Sequence, residues 1–292
     1  MAITFRKYQK EIIDKSVNIL YTSRLLYLAM EVRTGKTLTS LGICDNLPVN
    51  NVLFITKKKA ISSIENDYNL LAPDFYLEVI NYESLHKIKK RGWDVIIADE
   101  AHSMGAFPKP SKRAKQVKEL LQINSPYYIL LSGTPTPESY SQMFHQVYGH
   151  PNNPFKNFVN FYKFARVYVN LRVKYLHGYT TNDYSFGKTT ILDSMKPYTI
   201  SYTQKQAGYK VETKETIKKR FEGKKIGIFY KFTAELMALQ EEFGDDLCTE
   251  LEEFQSTKKH IALQIVSGRE GISLKQADCL VYYNIDFSAT SY

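Results

Sequence analysis

The chain has 292 residues, 43% hydrophobic and 24% charged, which is enough apolar material for two ordinary cores and excludes a disordered chain. Cys44, Cys248 and Cys279 lie too far apart for a disulfide framework or a paired-thiolate zinc site, and the opening MAITFRKYQK lacks the apolar core of a signal peptide, so a soluble protein of a reducing cytosol is expected. The formal charge of +9 is uneven: residues 1–150 carry 19 basic and 14 acidic side chains, residues 151–222 carry 13 and 5, and residues 223–292 carry 7 and 11.

In chain order, the apolar run Leu25-Leu26-Tyr27-Leu28-Ala29-Met30 is followed by runs at 51–56, 77–80, 94–98 and 127–131, with helical stretches between them. Short apolar runs bounded by polar turns are the pattern of strands buried on both faces, so they predict a parallel sheet flanked by helices. The same signature returns at 225–230, 261–266 and 279–284, which predicts a second α/β unit. Between the two, residues 151–222 interleave Phe155, Phe158, Phe161, Tyr162, Phe164, Tyr168, Tyr175 and Tyr179 with Lys and Arg. The spacing of Phe158, Phe161 and Tyr162 predicts a helix with an aromatic stripe, open to two readings, core packing or base stacking. The expected division is therefore 1–150, a helical basic and aromatic segment 151–222, and 223–292. The basic excess of the middle segment points to a polyanion such as nucleic acid, the alternative being a solvated face that binds nothing.

Three short strings carry chemistry. Glu31-Val32-Arg33-Thr34-Gly35-Lys36-Thr37 lies between an apolar run and a predicted helix, LTSLGIC. A Gly-Lys-Thr turn at such a junction aims backbone N–H groups and a helix N-terminus at phosphate oxygens, with Lys36 reaching the β- and γ-phosphates and the Thr37 hydroxyl able to ligate Mg²⁺. Met30 stands where the phosphate-loop pattern expects glycine, so the string taken alone is also compatible with a solvent turn. Asp99-Glu100-Ala101-His102 closes the run 94–98, which puts its carboxylates at the C-terminal edge of a strand, where open α/β sheets bind ligands. Asp99 is then placed to hold Mg²⁺, and Glu100 to orient and deprotonate a water attacking the γ-phosphate. Ser132-Gly133-Thr134-Pro135 ends a further apolar run and reads either as a relay of the phosphate site's state or as a plain turn.

The order of these strings resembles the superfamily 2 helicases, and within them the Swi/Snf-type DNA translocases. The resemblance implies two RecA-like parallel-sheet domains, the second incomplete, with ATP and Mg²⁺ as cofactors. Phe5-Arg6-Lys7-Tyr8-Gln9 is similar to the adenine-recognition motif, which would set Gln9 on the adenine edge. The Gly-Lys-Thr turn becomes motif I, with Arg33, Thr34, Gly35, Lys36 and Thr37 around the nucleotide; a residue other than glycine at Met30 is common in this subfamily. Residues 54–59, with Thr56 and Lys57, resemble motif Ia, and residues 80–85, with Tyr82, resemble the element after it; both face nucleic acid in the family. The tetrad becomes motif II and Ser132–Pro135 motif III, with His102, Ser132 and Thr134 as coupling residues. Residues 225–232 resemble motif IV, and residues 267–274 motif V, with Ser267 and Arg269 toward the tracked strand. The resemblance leans toward phage or prophage members.

The family's motif VI, which supplies an arginine to the transferred phosphoryl group, has no counterpart before Tyr292, so weak turnover is expected of this chain alone. The expected function is an ATP-dependent DNA helicase or translocase. An RNA helicase and a catalytically silent nucleic-acid-binding module are the alternatives. A metal-dependent nuclease is disfavoured because the six histidines form no cluster with a second acid pair.

Overall fold

The computed structural model describes residues 4–88, 91–176, 179–208, 220–230, 233–264 and 274–282. It divides into two compact units, Met1–Tyr209 and Lys210–Tyr292.

In the first unit, α1 (Lys7–Ser23), β1 (Leu25–Met30), α2 (Lys36–Asp45), β2 (Asn51–Thr56), α3 (Ile61–Leu71) and β3 (Tyr76–Asn81) are followed by β4 (Val95–Asp99), α4 (Lys112–Asn124) and β5 (Tyr127–Leu131). Next come α5 (Met143–Val147), α6 (Phe161–Tyr168), β6 (Arg172–Leu176), β7 (Tyr179–Asp183), α7 (Thr190–Met195) and β8 (Thr199–Tyr202). Six strands form one sheet in the order β3-β2-β4-β5-β1-β8, every pair parallel. Strands β1, β2, β4 and β5 are apolar along most of their length because alternate side chains enter two separate cores. Leu25, Tyr27, Leu53, Ile55, Ile96 and Leu130 meet Val117, Leu121 and Phe144 from α4 and α5 on one face. Leu26, Leu28, Phe54, Ile97 and Ile129 meet Ile12, Ile13, Leu41 and Ile64 from α1 to α3 on the other. Cutting one such side chain to alanine costs about 2–5 kcal/mol.

The segment 151–208 does not stand apart as a helical linker; it belongs to the first unit. Phe155, Phe161 and Phe164 are buried around Phe144, so the aromatic stripe is core. Residues 172–176 and 179–183 pair as an antiparallel ribbon instead of a helix, because Val173, Lys174 and Tyr175 alternate across a β-pair. Strand β8 joins the edge of the main sheet beside β1. Its sequence, Thr-Ile-Ser-Tyr, has no apolar run; backbone pairing with β1, with Ile200 and Tyr202 packed against the core, recruits it.

The second unit contains β9 (Ile226–Tyr230), α8 (Thr233–Phe243), β10 (Leu247–Cys248), α9 (Leu251–Ser256), β11 (His260–Gln264) and β12 (Cys279–Tyr282). Its strands run parallel in the order β10-β11-β9-β12. Lys225, just before β9, staples this unit: its ammonium donates to the Phe254 carbonyl at 2.5 Å, the Thr257 carbonyl at 2.6 Å and Gln276 Oε1 at 3.1 Å. Ser267 and Arg269 lie outside the described residues, as do Lys231, Phe232 and residues 283–292. Both units are thus α/β with parallel sheets, as the pattern of runs predicted.

Candidate functional site

Strands β1, β4 and β5 are neighbours in the sheet and end at the same edge, which brings the Gly-Lys-Thr turn, the acidic tetrad and Ser132 together. Chain connectivity explains this: each strand runs the same way, so each strand-to-helix turn falls on the C-terminal edge.

Gly35 caps α2 in the left-handed conformation, with φ of 76°, and a Cβ there would lie 2.7 Å from Gln9 Nε2. Backbone conformation therefore favours glycine at this position, and an added Cβ would displace the Gln9 amide. The Lys36 ammonium folds back to the Met30 carbonyl at 2.8 Å and the Glu31 carbonyl at 3.2 Å. Burial holds its pKa below the ordinary lysine value, while Glu100, Asp99 and Glu31 pull it back up. The loop is braced from outside. Thr34 Oγ1 donates to the Glu31 carbonyl at 2.6 Å and the Tyr8 hydroxyl to the Thr34 carbonyl at 3.0 Å. Beyond β8, the Gln204 amide N–H donates to Glu31 Oε2 at 2.7 Å and its side-chain Nε2 to the Val32 carbonyl at 2.8 Å. Tyr202 stacks on Tyr8 with ring centroids 4.7 Å apart and 14° between planes. Nothing in the neighbourhood of Tyr202 and Gln204 marks a motif, and Tyr8, although inside the string similar to the adenine-recognition motif, carries no local sign of its contact with the loop; the contacts span up to 173 positions.

The tetrad is built differently. Asp99 Oδ2 accepts from Thr56 Oγ1 at 2.7 Å, and Asp99 Oδ1 from the Glu100 N–H at 2.9 Å. Burial raises the Asp99 pKa, the Thr56 hydrogen bond lowers it and Glu100 adds to the rise. Glu100 sits at φ 50°, ψ 45°, a conformation that costs a non-glycine residue about 1–2 kcal/mol. Its carboxylate lies 3.9 Å from Lys57 Nζ and 3.3 Å from His102 Nδ1. His102 Nδ1 is also 3.0 Å from Ser132 Oγ, and Ser132 Oγ accepts the Thr134 N–H at 3.1 Å. A continuous polar path therefore runs from Glu100 through His102 to Ser132 and Thr134.

Burial turns three of the expected residues inward. Thr56 is fully buried and holds Asp99, and Tyr82 is 1% exposed with its hydroxyl donating to the Asp99 carbonyl at 2.7 Å. Neither faces a nucleic-acid strand; both orient the acid strand's end, because strand β2 and the turn after β3 flank β4. Gln9 is also turned inward: Nε2 donates to Thr39 Oγ1 at 3.2 Å, Oε1 accepts the Arg6 N–H at 3.0 Å, and 4% of the residue is exposed. Its amide braces the loop and helix. Lys57 is 61% exposed at the side chain and free to meet a large ligand.

A divalent cation fits the donors in kind. Thr37, Asp99 and Glu100 offer only oxygen, which suits a hard ion, and among the described residues no group of three or more His, Cys, Asp or Glu could hold a metal. An ion here would need phosphate oxygens to complete its shell, the usual arrangement for Mg²⁺ with a nucleotide.

Two family models match the chain, the SNF2-related domain over residues 52–166 and the Type III restriction enzyme res subunit over residues 2–78. Each match covers less than half of the chain. Among solved structures, the chain is similar to the Sulfolobus solfataricus SWI2/SNF2 ATPase core in complex with dsDNA, at 14% identity and a TM-score of 0.53 over 97% of this chain and 82% of that one. That likeness concerns the fold. A Methanococcus jannaschii DEAD box protein gives 14% identity and a TM-score of 0.34 over 97% of this chain and 80% of that one. The ATP-dependent Type ISP restriction-modification enzyme LlaBIII bound to DNA gives 13% identity and a TM-score of 0.39, with 96% of this chain covering 26% of that one. No curated protein matches the chain. No helix among the described residues is long and apolar enough to cross a membrane.

Proposed function

We propose that the chain is an ATP-dependent DNA translocase or helicase motor whose first unit binds Mg-ATP at the C-terminal edge of its six-stranded sheet. The observation that carries this reading is the convergence of Lys36, Asp99, Glu100 and Ser132 on one sheet edge, linked by the Glu100–His102–Ser132 path. Lys36, poised on the Met30 and Glu31 carbonyls, exchanges those partners for phosphate oxygens. Thr37 and Asp99 would hold Mg²⁺, which when bound neutralises charge on the phosphates. Asp99 is kept oriented by Thr56 and Tyr82. Glu100 accepts the proton of the attacking water, and His102 senses that change at Glu100 and passes it to Ser132 and Thr134. DNA is preferred because residues 52–166 match the SNF2-related domain and the solved structure with the best TM-score above is described with dsDNA. Lys57 and the exposed basic side chains of residues 156–188 supply positive charge for its backbone.

The test is steady-state ATP hydrolysis without nucleic acid and with duplex DNA, single-stranded DNA or RNA. Stimulation by DNA, abolished in Lys36→Ala and Glu100→Gln, supports the motor. Stimulation by RNA alone moves the substrate to RNA. Salt-dependent DNA binding with no hydrolysis under any condition replaces the motor with a silent binding module.

A further inference from the structure

A two-stranded ribbon with water on both faces has no core of its own, and such a hairpin is marginally stable in isolation. The ribbon of β6 and β7 is of this kind: residues 171–175 and 179–182 are all exposed, although successive side chains of a strand point to opposite faces. Its root holds it. The Tyr184 ring packs edge-on against Phe161 and Tyr162 of α6, with centroids 5.5 and 5.9 Å away, and its carbonyl accepts the Ser141 hydroxyl at 2.6 Å. The Arg172 guanidinium lies 3.8 Å from the Phe186 ring centroid. Val169 bridges to Gly187, which sits so close to Ser141 that a Cβ there would be 2.6 Å from the Ser141 nitrogen. The fold therefore fixes the base of the ribbon and sends its outer end into solvent.

That end carries two tyrosines, Tyr175 at 75% and Tyr179 at 76% exposed. Tyr175 pairs with Thr180 and Tyr179 with Leu176, which sets the two rings on opposite faces of the ribbon. Among the described residues neither ring has an aromatic, cationic or hydrogen-bonding partner. Exposed apolar residues scattered singly mean little, but Leu171, Val173, Tyr175 and Tyr179 are exposed on one ribbon. The surroundings decide what covers them. Residues 151–188 hold six basic side chains and one acidic one, and that acid, Asp183, is tied to Lys174 at 3.2 Å. Lys163 and Arg166, on the helix against which the root packs, are exposed. An apolar protein partner would match the rings and not the charge, whereas a polyanion with aromatic bases matches both. We propose that the β6–β7 ribbon binds unpaired DNA bases, Tyr175 and Tyr179 each stacking on a base from its own face, with Lys163 and Arg166 meeting the phosphates. The proposal rests on the DNA reading above and deepens it by naming the form of the substrate, single-stranded DNA or a single-stranded stretch beside a duplex. Paired bases inside a duplex are already stacked on one another and leave the rings no face to cover.

The experiment measures binding of fluorescent single-stranded DNA, the same strand made abasic, blunt duplex DNA and single-stranded RNA of equal length, each over a series of salt concentrations, together with thermal unfolding. Three double variants are compared with the parent: Tyr175→Ala with Tyr179→Ala, Tyr175→Phe with Tyr179→Phe, and Lys163→Ala with Arg166→Ala. The double alanine variant is expected to bind single-stranded DNA about 30-fold more weakly, with duplex binding within about twofold of the parent and an unchanged unfolding temperature. Its salt dependence keeps the parent's slope, because no phosphate contact has been removed. The double phenylalanine variant keeps both rings and the parent's affinity, and the abasic strand does not distinguish the double alanine variant from the parent. Loss of Lys163 and Arg166 weakens binding to single strand and duplex alike and flattens the salt dependence. Unchanged affinity of the double alanine variant for single-stranded DNA overturns the ribbon's role and leaves the motor reading standing. An equal loss on duplex and abasic strand also overturns it, because the contact is then to the backbone. A loss confined to RNA overturns the assignment to DNA. A parent chain that binds none of the four removes the nucleic-acid reading itself.

Discussion

Arg24 and Arg33 are the same residue type in nearly the same backbone conformation, with φ of 58° and 64°, at opposite edges of one sheet. Arg24 ends α1: its N–H bonds the Leu20 carbonyl at 2.8 Å, its Nε donates to the Ser125 carbonyl at 3.0 Å, and its guanidinium lies 4.2 Å from the Tyr127 ring centroid. Helix capping and side-chain contacts offset the strain there. Arg33 has neither. Ala72 and Ser125 are likewise left-handed at helix C-termini, whereas Glu100 resembles Arg33 in ending no helix. The edge where strands begin uses left-handed residues to finish helices; the edge where strands end spends strain on residues at the proposed nucleotide site.

This contrast is broken or sharpened by measurements at both edges. The largest effect is expected at Glu100. Glu100→Gln lowers nucleic-acid-stimulated hydrolysis by about 10²- to 10⁴-fold in single-turnover assays, with nucleotide affinity and unfolding temperature near those of the parent. A matching loss of fold stability would show that Glu100 is structural and would erase the difference between the edges.

The opposite edge carries a pH dependence. His150 is buried under Tyr128, its Nε2 donating to the Pro126 carbonyl at 3.2 Å and its Nδ1 accepting the Asn152 N–H at 3.3 Å. Burial pushes its pKa down from 6.5 to about 4, against the Pro126 hydrogen bond. The unfolded chain therefore binds this proton more readily than the folded one. The neutral imidazole's contribution is complete above pH 6.5 and is lost as the pH falls toward 4, by roughly 2–4 kcal/mol in all. Urea unfolding at a series of pH values should show this slope, and His150→Gln should flatten it. An unchanged slope in that variant places the sensitivity elsewhere, with His145, whose pKa burial also lowers, as the other candidate.

Smaller effects are expected at the caps. Arg24→Ala removes the Ser125 hydrogen bond and the Tyr127 contact, and destabilises by about 1–2 kcal/mol with nucleotide affinity unaffected. Ser125→Gly, at φ 49° after α4, relieves strain and stabilises by at most about 1 kcal/mol. Denaturant midpoints check both. A nucleotide-binding defect in either variant would contradict the separation of roles between the two edges.

Much of the site was legible before the fold. Lys36, Asp99, Glu100, His102, Ser132 and Thr134 sit where strand ends were expected, because apolar runs define strands and the residue after each run marks an edge. Thr56 and Tyr82 were legible in position and misread in direction: a threonine at the end of β2 can point to solvent or to the neighbouring β4, and only sheet order decides. Gln9 stood in the expected neighbourhood, yet its amide is engaged by Arg6 and Thr39.

The sequence by itself determined the class of the chain, parallel α/β in two units, and the string of polar residues at strand ends. Periodicity and local turn chemistry depend on near neighbours, so they can be read along the chain. Tertiary structure alone decided that 151–208 would complete the first unit, that β8 would pair with β1, and that Tyr202 and Gln204 would brace a loop far upstream. Those contacts join residues separated by well over a hundred positions, and their strength comes from backbone pairing and stacking, which leave no period in the sequence.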